Sequence, residues 1–398
     1  MRAVSRDKLI LLAGLITYGM GQSLLFVIFA PLARDLGLVE WQLGIIIAAS
    51  NMALAFSAPR WGRASDRLGR RRVYLTGLIG YAVGYAALAL GVQAGLSGLI
   101  DGAALFATLI ALRLAYGLIV GGINPAATAY IADTTDEKSR GQGMALVAMS
   151  GGLGTIIGPV FGGALASITP VFPMYAAAAL AVAAAAWAVA ALPEPVRRTG
   201  KGPAARLQAS DPRIRPYLVG WFIVFGVFTG VQTITAAYVE DSLGITDLTA
   251  NQRTMMFAML SMAFCTLGIQ AGVLQALKPA PALMLKFAFA LMTAALLLLA
   301  VSSSVAMLYV GYGMFGLSFG FAAPGLNAAG SLAVTAEEQG AVGGLLSAAP
   351  TVGMIVGPML CGFVYDFAPQ APMLGGALLA GLMTLAFFFI RVPDPRAA

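Results

Sequence analysis

Histidine is absent from all 398 residues, which removes Ser-His-Asp and Cys-His catalysis together with the commonest transition-metal ligand. Cysteine is nearly absent. Cys265 and Cys361 both lie in apolar stretches, which suits packing and leaves no disulfide framework or thiolate metal site. Charged residues make up only 10% of the chain, against about 25% in a soluble globular domain. Such a chain cannot clothe a water-soluble fold, and it supplies no metal site, cofactor motif or enzyme active site within its apolar segments.

What the chain has instead is apolar length. Residues Leu9 to Pro31 carry no charge, enough at about 1.5 Å per residue to cross roughly 30 Å of hydrocarbon. Twelve such spans are predicted, at 9–31, 42–60, 73–93, 103–131, 141–166, 170–192, 216–239, 251–276, 282–302, 304–332, 340–364 and 370–391. The basic start could open a signal peptide, but the apolar stretch is too long and has no clear small-residue cleavage site, so a retained first helix is expected. The fold class is therefore an all-α membrane protein. The polar, Pro- and Arg-rich stretch 193–215 reads as a cytoplasmic linker between two six-helix bundles, 1–192 and 216–398.

A net charge of +7 in a soluble protein would suggest nucleic acid, but its distribution points to a bilayer. With the N-terminus cytoplasmic, 21 of the 24 Lys and Arg residues fall on that side, so both termini are expected inside a cell (inner) membrane. The halves also repeat. Gly117, Gly121, Pro125, Gly141, Gly154, Gly158 and Pro159 match Gly316, Gly320, Pro324, Gly340, Gly353, Gly357 and Pro358, each 199 positions later. Six spans separate the copies, so the bundles share an orientation and form a parallel pseudo-two-fold repeat.

Four features carry chemistry. The first is the string Gly62-Arg-Ala-Ser-Asp66-Arg67-Leu-Gly69-Arg70-Arg71-Arg72 between the second and third spans. Its glycines suit a tight turn, Asp66 suits helix-terminal N–H groups, and the arginines suit inside anchors. The second is Gly151 to Gly163, where Gly154, Gly158 and Gly162 form one small face at i, i+4 and i+8 and Pro159 removes a backbone donor. Gly353, Gly357 and Pro358 repeat it in span eleven. The third is Arg113, the one cation deep in a span, costly to bury without an anion, carbonyls or water. At 100° per residue it shares a face with Gly117, Asn124 and Thr128. The fourth is a scatter of polar and aromatic positions: Tyr18 and Gln22 on span one, Gln232 and Asn327 in the second half, and the stripe Trp221, Phe225, Phe228 beside Gln232. Aromatic stripes more often pack or face lipid than bind. Gly316-Leu-Ser318-Phe-Gly320 matches a hydrolase elbow, but it sits mid-helix in a chain without histidine.

The Gly62 to Arg72 string resembles the loop signature of the major facilitator superfamily, and Gly151 to Gly163 resembles the helix-five motif of its exporters. Ala58-Pro59, Arg113 with Gly117, Ile131-Ala-Asp133-Thr134-Thr135 with Arg140, and Gln339-Gly340 are similar to the twelve-helix drug:proton antiporters, especially the tetracycline efflux type. The resemblance implies that Gly62, Asp66, Arg67, Gly69, Arg70, Asp133 and Arg140 gate transport, with a charge relay latching the halves and the N-terminal end of span eleven near Gly340 as a partner for Asp66. It also locates a departure. Where the tetracycline exporters carry acids in helices one and three, this chain has Tyr18 and Gly84, and no Asp or Glu lies near the centre of any predicted span. Midplane proton coupling has no obvious carrier, although protons remain the coupling ion the resemblance implies.

The expectation is a secondary transporter working by alternating access as a monomer in the lipid bilayer, exporting a small amphipathic, neutral or anionic solute. Arg113, Tyr18, Gln22, Asn124, Gln232 and Asn327 are its candidate substrate contacts. An uptake carrier or uniporter for an organic anion is the alternative within transport. A non-transporting membrane sensor or scaffold is the alternative of another class.

Overall fold

A computed structural model describes residues 6–135, 137–196, 207–390 and 392, leaving aside the side chains of 137–140 and 336. Among the described residues there is no strand, as expected of a chain that must satisfy its backbone N–H and C=O groups inside each segment. Twelve helices are long and apolar enough to cross a membrane. They are α1 (Arg6–Asp35), α2 (Glu40–Leu68), α3 (Arg70–Leu96), α4 (Gly102–Thr134), α5 (Glu137–Leu165) and α6 (Phe172–Ala191). In the second half come α7 (Arg215–Leu243), α8 (Leu248–Leu277), α9 (Pro281–Ala300), α10 (Val305–Leu332), α11 (Gln339–Tyr365) and α12 (Ala371–Phe389). Two are irregular. The helix in α4 is interrupted at Gly121–Gly122, and α8 carries a π-helical stretch, Gly268–Val273.

The chain packs as two compact units, Met1–Gly200 with Asp247–Met256, and Lys201–Thr246 with Phe257–Ala398. Most of the linker arginines lie outside the described residues. Within the first unit α1 is the central helix, with 72% of its apolar window buried. Glycines let α5 press against it. A Cβ on Gly154 would fall on the Ile16 carbonyl oxygen, and one on Gly158 would fall on the Met20 carbonyl and the Ser23 hydroxyl. Gly162 is roomier, its nearest neighbour being Ile28 at 3.3 Å.

The second unit repeats this contact. A Cβ on Gly353 would lie 2.5 Å from the Phe222 carbonyl and 2.7 Å from the Gly226 nitrogen, and one on Gly357 would fall on the Gly226 carbonyl. Both helices run on through their prolines, Pro159 and Pro358. A second contact recurs too. Ser57 Oγ donates to the Gly117 carbonyl at 3.0 Å, joining α2 to α4, and Thr266 Oγ1 donates to the Gly316 carbonyl at 2.9 Å, joining α8 to α10. Gly117 and Gly316 are themselves 199 apart, so the sequence repeat is a repeat of packing.

The glycine face sets a clear expectation. Gly158→Val should destabilise the protein by about 1–3 kcal/mol, the usual cost of overpacking, and Gly357→Val should do the same. Gly151→Ala, which meets nothing within 4 Å, should be neutral or slightly stabilising. Thermal unfolding in detergent distinguishes them, and equal melting temperatures for the three would contradict the packing described.

Candidate functional site

In the first unit, Arg113 is 3% exposed. One guanidinium nitrogen donates to Ser50 Oγ at 2.5 Å, and the guanidinium carbon stands 4.8 Å from the centre of the Tyr116 ring. Its Nε has no hydrogen-bond partner, and no ion pair joins Arg113 to a carboxylate among the described residues. A cation–π contact offsets about 2 kcal/mol when desolvated, while a buried cation costs several. The site is electropositive and only partly satisfied.

Around it the structure assembles tyrosines. Tyr81 stacks on Tyr85 at 4.6 Å, and Tyr116 meets Tyr85 edge-on at 5.7 Å. The Tyr85 hydroxyl donates to the Gly21 carbonyl, and Gln22 Nε2 reaches the Tyr116 hydroxyl at 3.5 Å. Tyr18, half-buried on α1, lies within electrostatic reach of Arg113 and of all three rings. Tyr18, Gln22 and Arg113 therefore belong to one cluster. Sequence reasoning missed Tyr81, Tyr85 and Tyr116, although their spacing (i, i+4 on α3, and i, i+3 from Arg113) was available to find them. Asn124 differs. The break at Gly121–Gly122 interrupts the regular 100° register, and Asn124 is exposed where Arg113 and Gly117 are buried.

At one end of the same unit lies the Gly62 to Arg72 string, which is not a loop. Gly62 to Leu68 form the last turns of α2, and α3 starts at Arg70, so Gly69 alone makes the turn. Its φ of +108° is one that other residues avoid. Gly62 is helical, with Pro125 3.9 Å from where its Cβ would stand, so it serves no turn. Arg70 pairs with Asp66 at 2.6 Å and with Asp133 at 2.9 Å, and donates to Ser65 Oγ at 2.7 Å. Asp66 is thus the arginine's partner and not an acceptor for the helix terminus. That role falls to Glu194, beyond α6, whose carboxylate accepts the backbone N–H of Arg70 at 2.5 Å and of Arg71 at 3.1 Å. Its sequence signal was weak: a single acid between two prolines. Arg67 is exposed, and the Arg140 side chain lies outside the described residues.

The second unit carries its own polar and aromatic set. Phe225 and Phe228 of α7 pack with Phe319 of α10 at 5.5 and 5.4 Å, with Trp221 and Phe315 completing the row. Gln232 is buried with its Nε2 unpartnered, as is the Trp221 Nε1. Asn327 is exposed. Tyr312 stands 199 positions after Arg113 and shares a hydrogen bond with Thr235 at 2.7 Å, so the second half keeps a polar side chain there without the charge. Outside the spans, Arg213 bridges Asp211 and Glu338 at 2.8 and 2.9 Å, tying the chain before α7 to the turn before α11.

The arrangement offers a buried cation, hydroxyls, an amide and aromatic faces, with acids confined to helix ends. Asp101 stands at the N-cap position of α4, Glu240 lies in the last turn of α7, and Asp366 stands at the C-cap position of α11. A family model of the Major Facilitator Superfamily matches residues 11–351. The chain belongs to this superfamily. It is 23% identical over 384 residues to the quinolone resistance protein NorA of Staphylococcus aureus, covering 92% of each chain. It is 25% identical over 381 residues to multidrug resistance protein 1 of Bacillus subtilis, covering 91% and 90%. A bacterial homologue of the human lysosomal transporter Spinster shares the fold at TM-score 0.74, with 15% identity and 97% of each chain covered. The human organic anion transporter MFSD10 does so at 0.68, with 21% identity and 96% and 99% covered. The facilitator is thus a multi-pass membrane transporter with drug-resistance relatives, not an enzyme.

The polar clusters at these helix ends set two expectations. Removing the Glu194 cap as Glu194→Ala should cost about 0.5–2 kcal/mol, with Glu194→Gln between. Gly69→Ala should cost more, since its Cβ would stand 2.8 Å from the Glu194 carboxylate; thermal unfolding ranks the three. Arg213 holds the Asp211 and Glu338 carboxyls below the ordinary carboxylate range by hydrogen bonding to them. Their contribution is complete above the unfolded values near 4 and disappears as pH falls through the depressed ones. Between pH 6 and 3, Arg213→Gln should therefore lose less stability than the parent, by a margin that salt shrinks. An identical acid profile for the two proteins would refute the latch.

Proposed function

We infer that this facilitator exports a small amphipathic solute bearing an anionic or hydrogen-bond-accepting group, and that Arg113 binds that group during alternating access. The observation that carries this reading is Arg113 itself: buried, held by one hydroxyl and one aromatic face, with a free Nε and no carboxylate. A site that leaves a donor unpaired favours a ligand that supplies the acceptor. The neighbouring Tyr18, Gln22, Tyr81, Tyr85 and Tyr116 supply hydroxyls, an amide and flat faces for an aromatic body. In the second unit, taken by itself, Gln232 is the candidate polar contact and the Trp221–Phe319 row a candidate aromatic surface.

The relatives bear on the cargo and its direction. Both are named for resistance, one to quinolones, which makes export of a quinolone-like compound the first candidate. Asp66, Arg70 and Asp133 form the gating network of the first unit on this reading, with Arg67 and Arg140 as further members. Their side of the membrane is the cytoplasm, because the loops at the Arg70 ends hold most of the Lys and Arg residues. Both termini are then cytoplasmic, in the inner membrane of a bacterium, and one chain suffices for transport. Proton coupling would use helix-end acids such as Asp101 or Asp133, since the span centres have none.

The test is flux into proteoliposomes under an imposed pH gradient, comparing a quinolone with anionic, neutral and cationic aromatic compounds. Arg113→Ala should lower transport of the anionic compounds by roughly tenfold or more, equivalent to one lost charged contact, and should leave neutral compounds less affected. Cations carried as well as anions by the parent, and unchanged by the substitution, would overturn the reading.

A further inference from the structure

We propose that the outer groove between α9 and α12 is a binding site for one anionic phospholipid, with Lys286 as its headgroup contact. The groove measures about 660 Å³ and is lined by Ala290, Thr293, Leu297, Ala377, Gly381 and Leu385, among others. It lies wholly within the second unit. Small side chains at Ala290, Ala377 and Gly381 make its floor. Exposed leucines, Leu297, Leu378 and Leu385, make its rims.

Its chemistry selects an apolar body. Thr293 turns its hydroxyl back on the Phe289 carbonyl at 2.9 Å, and Thr384 turns its own on the Ala380 carbonyl at 2.9 Å. Both threonines thus spend their only donor on their own helix. The transported solute, which must be polar enough to meet Arg113, has nothing to bond to here. An acyl chain needs nothing. Along α12 the lining runs from Leu374 to Leu385, roughly 16 Å at the helical rise, close to the depth of one leaflet of a bilayer core of about 30 Å.

A cation stands at one end only. Lys286 is one turn before Ala290 on α9, and Phe388 is one turn beyond Leu385 on α12. Lys286 Nζ lies 4.6 Å from the centre of the Phe388 ring, which holds the ammonium over the mouth of the groove instead of leaving it to extend freely. No carboxylate pairs with it among the described residues. An apolar trough with a single ammonium at its end matches a ligand with an apolar tail and an anionic head. It does not match a second copy of the chain, because among the described residues no acid lines the groove to meet the lysine.

The test uses the purified full-length protein in detergent, titrated with phosphatidylglycerol or phosphatidylethanolamine of identical acyl chains and read by native mass spectrometry. The parent should retain phosphatidylglycerol about fivefold better, the factor one lysine near a charged membrane surface contributes. Lys286→Gln should abolish the preference and Lys286→Arg should keep it, which separates loss of charge from loss of fold. Gly381→Leu, which fills the floor, should reduce retention of both lipids. Equal retention by the parent, or an undiminished preference in Lys286→Gln, would overturn the site. So would cross-linking of Leu378→Cys between copies in a lipid bilayer, which would assign the groove to self-association.

Discussion

Hydrocarbon offers a peptide group no hydrogen-bond partner, so each segment of this chain inside the bilayer has to close its own backbone bonds. It also offers no hydrophobic gain when two apolar helices meet, because lipid is as apolar as leucine. Association then depends on how closely backbones can approach. Gly154 and Gly158 bring α5 onto α1, and Gly353 and Gly357 bring α11 onto α7, at distances where any side chain would strike a carbonyl. The rest of each unit is arranged around those two approaches.

Once backbones are that close, their carbonyls become available to side chains from neighbouring helices. Ser57, Trp61, Tyr74 and Tyr85 each donate to a carbonyl of another helix in the first unit, Ser261 and Thr266 do so in the second, and Tyr238 donates to the Ser302 carbonyl in the turn between α9 and α10. Arg113 is satisfied only in part. Its neighbours supply one hydroxyl and one ring face, and its Nε has no partner. In a medium where an unpaired polar atom costs free energy, that Nε is left unsatisfied, as is the hydroxyl of the neighbouring Tyr81.

The acids obey the same physics from the other direction. Every described acid belonging to a span lies near its end, and several meet arginines or backbone N–H groups there. Arg70 gathers Asp66 and Asp133, Glu194 takes the two amides at the start of α3, and Arg213 holds Asp211 and Glu338. These clusters add polar ties at the ends of segments: α2 to α3 and α4 in one unit, and the chain before α7 to the turn before α11 in the other.

Composition and periodicity were sufficient for the class, the twelve helices and the repeat, because length and apolarity are summed along the chain and do not depend on which helix neighbours which. The polar singletons were also legible: Arg113, Tyr18 and Gln22 stand out in an apolar sequence, and they do come together. What the linear order could not contain was the company they keep. Tyr81 and Tyr85 read as ordinary aromatic residues until α3 lies against α1 and α4. Glu194 reads as a linker acid until it meets Gly69 across more than a hundred residues. The Gly62 to Arg72 string reads as a loop until α2 is seen to continue through it. Apolar spans were determined by the sequence because partition into a bilayer is a property of each segment. The electropositive tyrosine cluster and the Glu194 cap were decided by tertiary structure, because an unpaired donor or a capped helix exists only when separate segments pack together.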